Sequence, residues 1–213
     1  MSLKICEIFY SIQGESTRAG CPCVFIRLAG CNLRCSYCDT QYALTGGEER
    51  FVDDIIAAAC AYPCRLVEIT GGEPLIQEQT PQLAAELLNR GFTVLLETNG
   101  TVALDALDRR CVKIVDVKCP ASGEAHSFNP AVLQSLSPHD ELKFVLSDRN
   151  DYDFARDFLN RFSSISIAAV HFSPVMTNLS ASELASWILA DGLDVRCTPQ
   201  LHRYIWPDIG CGV

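Results

Sequence analysis

No stretch of this 213-residue chain approaches the roughly 18 consecutive apolar residues of a membrane helix, so no membrane span is expected. There is no Lys/Arg-rich stripe. The 17 basic residues stand against 26 acidic ones, a net charge of −9, which argues against direct nucleic-acid binding through phosphate neutralisation. A small anionic ligand stays open, because one buried Arg can hold a carboxylate whatever the global charge. The opening Met1-Ser2-Leu3-Lys4-Ile5-Cys6-Glu7 lacks the apolar core of a secretory signal, so a cytoplasmic protein is expected. Low-complexity segments, linkers and inter-domain boundaries are missing too, which leaves a single domain over 1–213 with a sizeable core.

Cysteine, by contrast, is abundant. Twelve cysteines without a secretory signal read as metal ligands and buried thiols in a reducing compartment, not as a disulfide scaffold. Three of them form Cys31-x₃-Cys35-x₂-Cys38. Such a short loop can wrap three thiolates around one corner of an iron–sulfur cube. A four-thiolate cluster is coordinatively full, whereas three ligands leave one iron open to something that is not protein. A zinc knuckle is the alternative, although zinc usually completes its four ligands from a second pair. Cys6, Cys111, Cys119 and Cys197, beside apolar strands, and Cys60 and Cys64, flanking a helix end, read as small buried hydrophobes. For Cys21, Cys23 and Cys211 a second metal or a redox pair is the alternative to that reading.

Apolar runs of strand character alternate with helical ones. Strands are expected at 3–12, 23–29, 65–69, 93–97, 112–117, 141–146, 165–171 and 194–197, and helices at 53–61, 80–90, 150–161 and 180–190. Thr80 and Ser180 read as N-caps, Pro81 as a first-turn residue and Gly91 as a stop. Near-continuous apolar strands between helices mean an α/β fold with a parallel sheet covered by helices. A closed eight-unit barrel usually needs ~250 residues, so an open, partial βα barrel of about six parallel strands is expected. It carries an N-terminal strand or hairpin extension and a short C-terminal tail. A doubly wound sheet is the alternative fold.

Polar and glycine residues fall at the carboxyl ends of successive strands: the cysteine loop, Thr70-Gly71-Gly72-Glu73, Glu97-Thr98-Asn99, Asp116-Val117-Lys118 and Ser173-Pro174. In barrels and open sheets alike, that edge binds ligands. Each piece also has a plain reading, as a turn, an Asn-Gly strand end or a salt bridge. Paired glycines without Cβ would let the backbone approach a ligand. Arg27 is an awkward charge inside VFIRLAG. A buried guanidinium needs a partner, either a ligand carboxylate that matches its fork or an internal Asp or Glu.

The cysteine spacing, with Tyr37 before the last thiol, and Gly71-Gly72-Glu73-Pro74 resemble the radical S-adenosylmethionine (SAM) superfamily. Within it, Phe9-Tyr10-Ser11-Ile12-Gln13-Gly14-Glu15, the stretch from Val24 to Thr40 and the ending Gln200-Leu201-His202-Arg203-Tyr204-Ile205-Trp206-Pro207 resemble the 7-carboxy-7-deazaguanine synthases. The resemblance implies a [4Fe–4S] cluster on Cys31, Cys35 and Cys38, with SAM on the open iron. SAM would meet Tyr37, Cys38 and Asp39 of the loop, and Gly71, Gly72 and Glu73 at its methionine end. Glu97 and Asn99 would lie near its ribose, Asp116, Val117 and Lys118 beside it, and Ser173 and Pro174 at the adenine rim.

The implied substrate is 6-carboxy-5,6,7,8-tetrahydropterin, held by Ile12, Gln13, Gly14, Glu15, Arg27, Thr70 and His202, with Mg²⁺ on the Thr40 hydroxyl. An ordinary loop hydroxyl and a packing histidine are the alternatives for Thr40 and His202. The implied reaction is hydrogen abstraction from C6 by a SAM-derived radical, ring contraction and loss of ammonia, on the route to queuosine-type deazapurines. A flavodoxin-like or ferredoxin-like electron donor and a homodimer are further expectations. Two other readings stand beside this one: an activating enzyme for a glycyl radical protein, which shares the cysteine and glycine motifs, and a zinc-stabilised binding module without catalysis.

Overall fold

In the computed structural model, which describes all of residues 1–213, β1 (Ser2–Ile12) pairs antiparallel with β2 (Pro22–Leu28) on one side and with β3 (Glu48–Phe51) on the other. From β2 onward the neighbours are parallel: β4 (Leu66–Gly71), β5 (Thr93–Thr98), β6 (Val112–Asp116), β7 (Glu141–Leu146), β8 (Ala169–Pro174) and the two-residue β9 (Arg196–Cys197). The order β3-β1-β2-β4-β5-β6-β7-β8-β9 has two free ends, so the barrel is open, as the chain length implied. The connections carry α1 (Val52–Cys60), α2 (Thr80–Asn89), α3 (Arg149–Arg161) and α4 (Ala181–Asp191), and α5 (Leu201–Ile205) follows β9.

Successive strand residues point to opposite faces, and here the two faces differ in chemistry. Ile26, Ile69, Leu96, Val115, Phe144 and Phe172 are all fully buried in one core of 34 residues beneath the helices. Each such side chain contributes about 1.5–3 kcal/mol by leaving water. The residues that follow several of them, Arg27, Thr70, Glu97 and Asp116 with Lys143 and Ser173, face a cavity on the other side. The helices show the matching stripe: α2 buries Thr80, Leu83, Ala84 and Leu87 at helical spacing.

Most expected elements are present within a residue or two. Ser180 caps α4 by accepting the Glu183 N–H, and Gly91 adopts φ +82° just past α2. Thr80 is not the cap of α2 but its first residue. Gln79 occupies the cap, and the Thr80 hydroxyl donates instead to the Pro74 carbonyl at 2.6 Å. The strand expected at 165–171 begins only at Ala169, because its parallel ladder starts where β7 starts, with Ala169 opposite Glu141. The strand expected at 194–197 shortens to Arg196–Cys197. β3, with four exposed and mostly charged residues, and the five-residue α5 had no apolar period to announce them.

Candidate active site

The cysteine loop leaves β2 through Gly30, whose φ of +93° suits glycine. Leu33 is buried as its anchor. The Cys38 N–H donates to the Cys35 carbonyl at 3.2 Å, and Ser36 donates from its N–H to Ser122 and from its hydroxyl to the Ala121 carbonyl. On the other side, Asn32 donates to Thr101 and accepts from the Asn99 amide at 2.9 Å. The loop is thus tied to the segments after β5 and after β6. All three thiols are free and line one cavity of about 550 Å³. Cys211, the other cysteine on its wall, neighbours Cys6 instead.

Burial pushes the Cys31 and Cys35 thiols up, with Glu73 adding for the first, Asp116 for the second and Cys38 for both, while Lys118 opposes. As thiolates they need a strong positive centre between them, which an iron–sulfur cluster provides. Three thiols with no fourth Cys or His in the loop suit a cluster with one open iron better than a zinc site, which usually completes four protein ligands.

The glycine pair is built against this loop. The Gly72 N–H donates to Leu28 at 3.2 Å and the Glu73 N–H to Gly30 at 2.8 Å. A Cβ on Gly72 would lie 2.0 Å from the Gly30 oxygen. Glu73 is fully buried behind the pair. It accepts from Leu75 N–H, Thr98 hydroxyl and Asn99 N–H at 3.0, 2.8 and 2.7 Å. Burial raises its pKa in spite of these donors. It does not line the cavity, and neither does Val117, which belongs to the apolar core.

The remaining residues expected to meet SAM do line the cavity. Asp116 accepts from Lys118 at 2.7 Å. Burial acts to lower the Lys118 pKa, but the Asp116 carboxylate outweighs it, so the ammonium persists. Asp116 Oδ1 and Ser173 Oγ are buried without any partner. Orphaned polar atoms of this kind on a cavity wall call for a polar ligand. Three thiols, closely packed glycine backbone and these two atoms fit a cluster with a small zwitterionic cofactor beside it. Asp39 accepts from the Thr40 hydroxyl at 2.8 Å and from Arg203 at 2.9 Å. Against burial, those two donors hold its pKa down at about 2.

The turn after β1 also lines the cavity. Gln13 is buried, with its N–H donating to Cys21 and its carbonyl accepting from Gly20, both at 2.8 Å. Its side chain is engaged too, donating to Glu68 and accepting from the Glu15 N–H. Gly14 has no room for a side chain, since a Cβ there would sit 2.3 Å from His202 Nδ1. Burial lowers the His202 pKa. Arg27 donates from Nε to Glu7 at 2.7 Å. The internal carboxylate is thus present, and the remaining guanidinium nitrogens make no protein hydrogen bond. Thr70 and Ile12 line the same space.

Sequence reasoning missed Lys143, which ion-pairs with Glu15 and, at 2.8 Å, with Glu97. It also missed Glu68 and the buried pair of His171 with Glu141, 2.8 Å apart, which holds Thr17. The signal was the one that found Arg27: a charge inside an apolar strand, in LVEIT and ELKFVL.

The radical SAM superfamily model matches residues 25–187. A 7-carboxy-7-deazaguanine synthase from Koribacter versatilis is 45% identical over 96% of this chain and 97% of its own length. One from Chlorobaculum tepidum is 43% identical over 97% and 96%. Among solved structures, the crystal structure of QueE from Escherichia coli superposes with a TM-score of 0.80 at 24% identity, covering 95% of both chains, a likeness of fold. The structure of TYW1 with a lysine-pyruvate adduct bound gives a TM-score of 0.60 at 10% identity, over 79% of this chain and 72% of that one.

Proposed function

Because the chain belongs to the 7-carboxy-7-deazaguanine synthase family of the radical SAM superfamily, we propose that it converts 6-carboxy-5,6,7,8-tetrahydropterin to 7-carboxy-7-deazaguanine with loss of ammonia. The step belongs to the supply of queuosine-type deazapurines. The observation that carries the reading is that one cavity is lined both by three free thiols and by Arg27, Glu15 and Lys143.

Cys31, Cys35 and Cys38 hold the [4Fe–4S] cluster, and SAM binds beside it against the Gly71–Gly72 backbone, Tyr37, Asn99, Asp116, Lys118 and Ser173. Bound together, cluster and SAM supply a one-electron reductive cleavage and a radical able to take hydrogen from carbon. The protein's own part is placement. Asp116 Oδ1 and Ser173 Oγ, unpartnered on the cavity wall, offer SAM its polar contacts. Glu73 acts one layer back, fixing the N–H of Asn99 and the hydroxyl of Thr98.

Arg27, held at Nε by Glu7, turns its remaining N–H donors to the substrate carboxylate. Lys143 ion-pairs with the Glu15 and Glu97 carboxylates, and Glu15 accepts from the pterin amines. His202, packed on Gly14, closes the ring edge. Thr40, with Asp39 beside it, supplies hard oxygen donors for Mg²⁺, which would orient the substrate carboxylate. Holding the reacting atoms within about 3–3.5 Å of one another is worth more than any single contact.

The remaining partners follow the same reading: a flavodoxin-like or ferredoxin-like donor in a cytoplasmic setting, and a homodimer. The free edge of β3, beside which Met1 and Phe51 are exposed, is a sheet edge open to a second copy. No helix is long and apolar enough to cross a membrane. The test is reductive SAM cleavage under anaerobic conditions, with and without the carboxytetrahydropterin. Cleavage stimulated by the pterin supports the synthase. Cleavage indifferent to it contradicts the reading and revives an activating enzyme, while one tight zinc and no iron would end both.

A further inference from the structure

The substrate side of the cavity holds one carboxyl that the reaction as described leaves unused. Glu68 lies in mid-β4, 4% exposed, between Phe25 of β2 and Leu95 of β5 in the sheet register, and it lines the cavity. Its Oε2 accepts from the Gln13 side-chain amide. The orientation of that amide is fixed, because Gln13 Oε1 accepts the Glu15 N–H at 3.0 Å. The nitrogen must therefore face Glu68, and Oε2 must be an acceptor. The second oxygen, Oε1, bonds to no protein group and is not sealed away.

The cations near Glu68 are committed elsewhere: Lys143 of β7 to Glu15 and Glu97, Arg27 of β2 to Glu7. Glu97 from β5 and Glu15 from the turn after β1 face it with the same sign. Cys23 of β2, its thiol pushed up by burial, stays neutral beside it. Burial first, then these two carboxylates, push the Glu68 pKa well above the ordinary glutamate range, against Lys143 and Arg27.

We propose that Glu68 is a further substrate-recognition residue: its free oxygen carries a proton and donates a hydrogen bond to an acceptor on the bound pterin. This rests on the pterin reading above and deepens it. The hydrogen bonds then run in one direction, from the Glu15 N–H to Gln13, from the Gln13 amide to Glu68, and from the Glu68 O–H to a ring nitrogen or carbonyl oxygen. An ionised Glu68 would reverse the last link and repel a carboxylated substrate.

The experiment is steady-state kinetics of the anaerobically reconstituted full chain with 6-carboxy-5,6,7,8-tetrahydropterin across pH. Wild type is compared with Glu68→Gln and Glu68→Leu, and iron content and melting temperature establish that each is folded. In wild type, KM rises with pH as Glu68 loses its proton. Glu68→Gln keeps an acceptor toward Gln13 and an N–H donor toward the cavity, so its KM stays within ~3-fold at neutral pH and the alkaline rise disappears. Glu68→Leu loses the donor, and its KM rises about tenfold with kcat within ~3-fold.

A Glu68→Leu KM unchanged from wild type, or a Glu68→Gln that keeps the alkaline rise, overturns the assignment. If Glu68→Leu does not fold, the Glu68→Gln profile decides alone. A wild type that turns over no pterin overturns the functional reading and this inference with it. A working wild type with indifferent variants overturns this inference only.

Discussion

Replacing Gly72 by alanine would set a methyl carbon 2.0 Å from the Gly30 oxygen, 2.6 Å from the Gly30 carbonyl carbon and 2.8 Å from the Cys31 Cβ. Comfortable contacts between carbon atoms lie at about 3.5–4.0 Å, so something must yield by roughly 1 Å or more. The obstacles are main chain at the entry to the cysteine loop, not the loose end of a side chain. Gly72 is not in the left-handed region, so the whole penalty is steric. Overpacking of this kind costs about 1–3 kcal/mol, which in a chain of this size lowers the melting temperature by roughly 2–4 °C per kcal/mol.

The fold therefore survives while Cys31 is displaced. A shift of about 1 Å at a reacting centre costs on the order of 10²-fold in rate. The assay is a thermal melt of the apoprotein together with iron and sulfide per chain and the rate of SAM cleavage. We expect a modest fall in melting temperature, a substoichiometric cluster and at least that loss of rate. Gly72→Ala with wild-type melting, iron and rate would refute the reasoning.

Three further outcomes follow. Cys35→Ser should lose the cluster and all SAM cleavage, read by iron content and release of methionine; residual cleavage would show that this thiol is not a ligand. Thr40→Ala should keep the cluster but weaken the Mg²⁺ dependence of turnover, and an unaltered Mg²⁺ response would remove the metal assignment. Lys143→Met leaves Glu15 and Glu97 facing each other without a cation, a loss of about 3–5 kcal/mol near pH 7.

The pH dependence of that third loss has a definite sign. The folded Lys143 pKa is raised, so its own contribution is complete at every pH below the unfolded lysine value and does not vary there. The Glu97 pKa is raised by burial even with Lys143 present and rises further without it. The variant then takes up protons on acidification and recovers stability. Urea unfolding at pH 5 and pH 7 should show the smaller loss at pH 5, and equal losses would contradict the charge argument.

The fold was legible because each parallel strand is a short, nearly unbroken apolar run, and the two-sided burial that produces such runs has few architectures to choose from. The cavity's upper rim was legible too, since Thr70-Gly71-Gly72 and Asp116-Val117-Lys118 stand out at strand ends. What stayed hidden depends on register. Glu68 reads as a stray charge until Gln13, 55 positions away, is seen to donate to it. Lys143 joins Glu15 across 128 positions, and no local spacing encodes that distance. Glu73 was legible as a motif residue but not in its placement. Both its oxygens turn away from the cavity to hold Leu75, Thr98 and Asn99, a choice set by the turn geometry of the loop.

The central claim meets its most direct test in the mass of the product. Reconstituted protein, SAM, a low-potential reductant and 6-carboxy-5,6,7,8-tetrahydropterin are incubated without oxygen, and the organic product and ammonia are quantified together. The account predicts 7-carboxy-7-deazaguanine and ammonia in equal amounts. Full SAM cleavage with the pterin returned unchanged would contradict it.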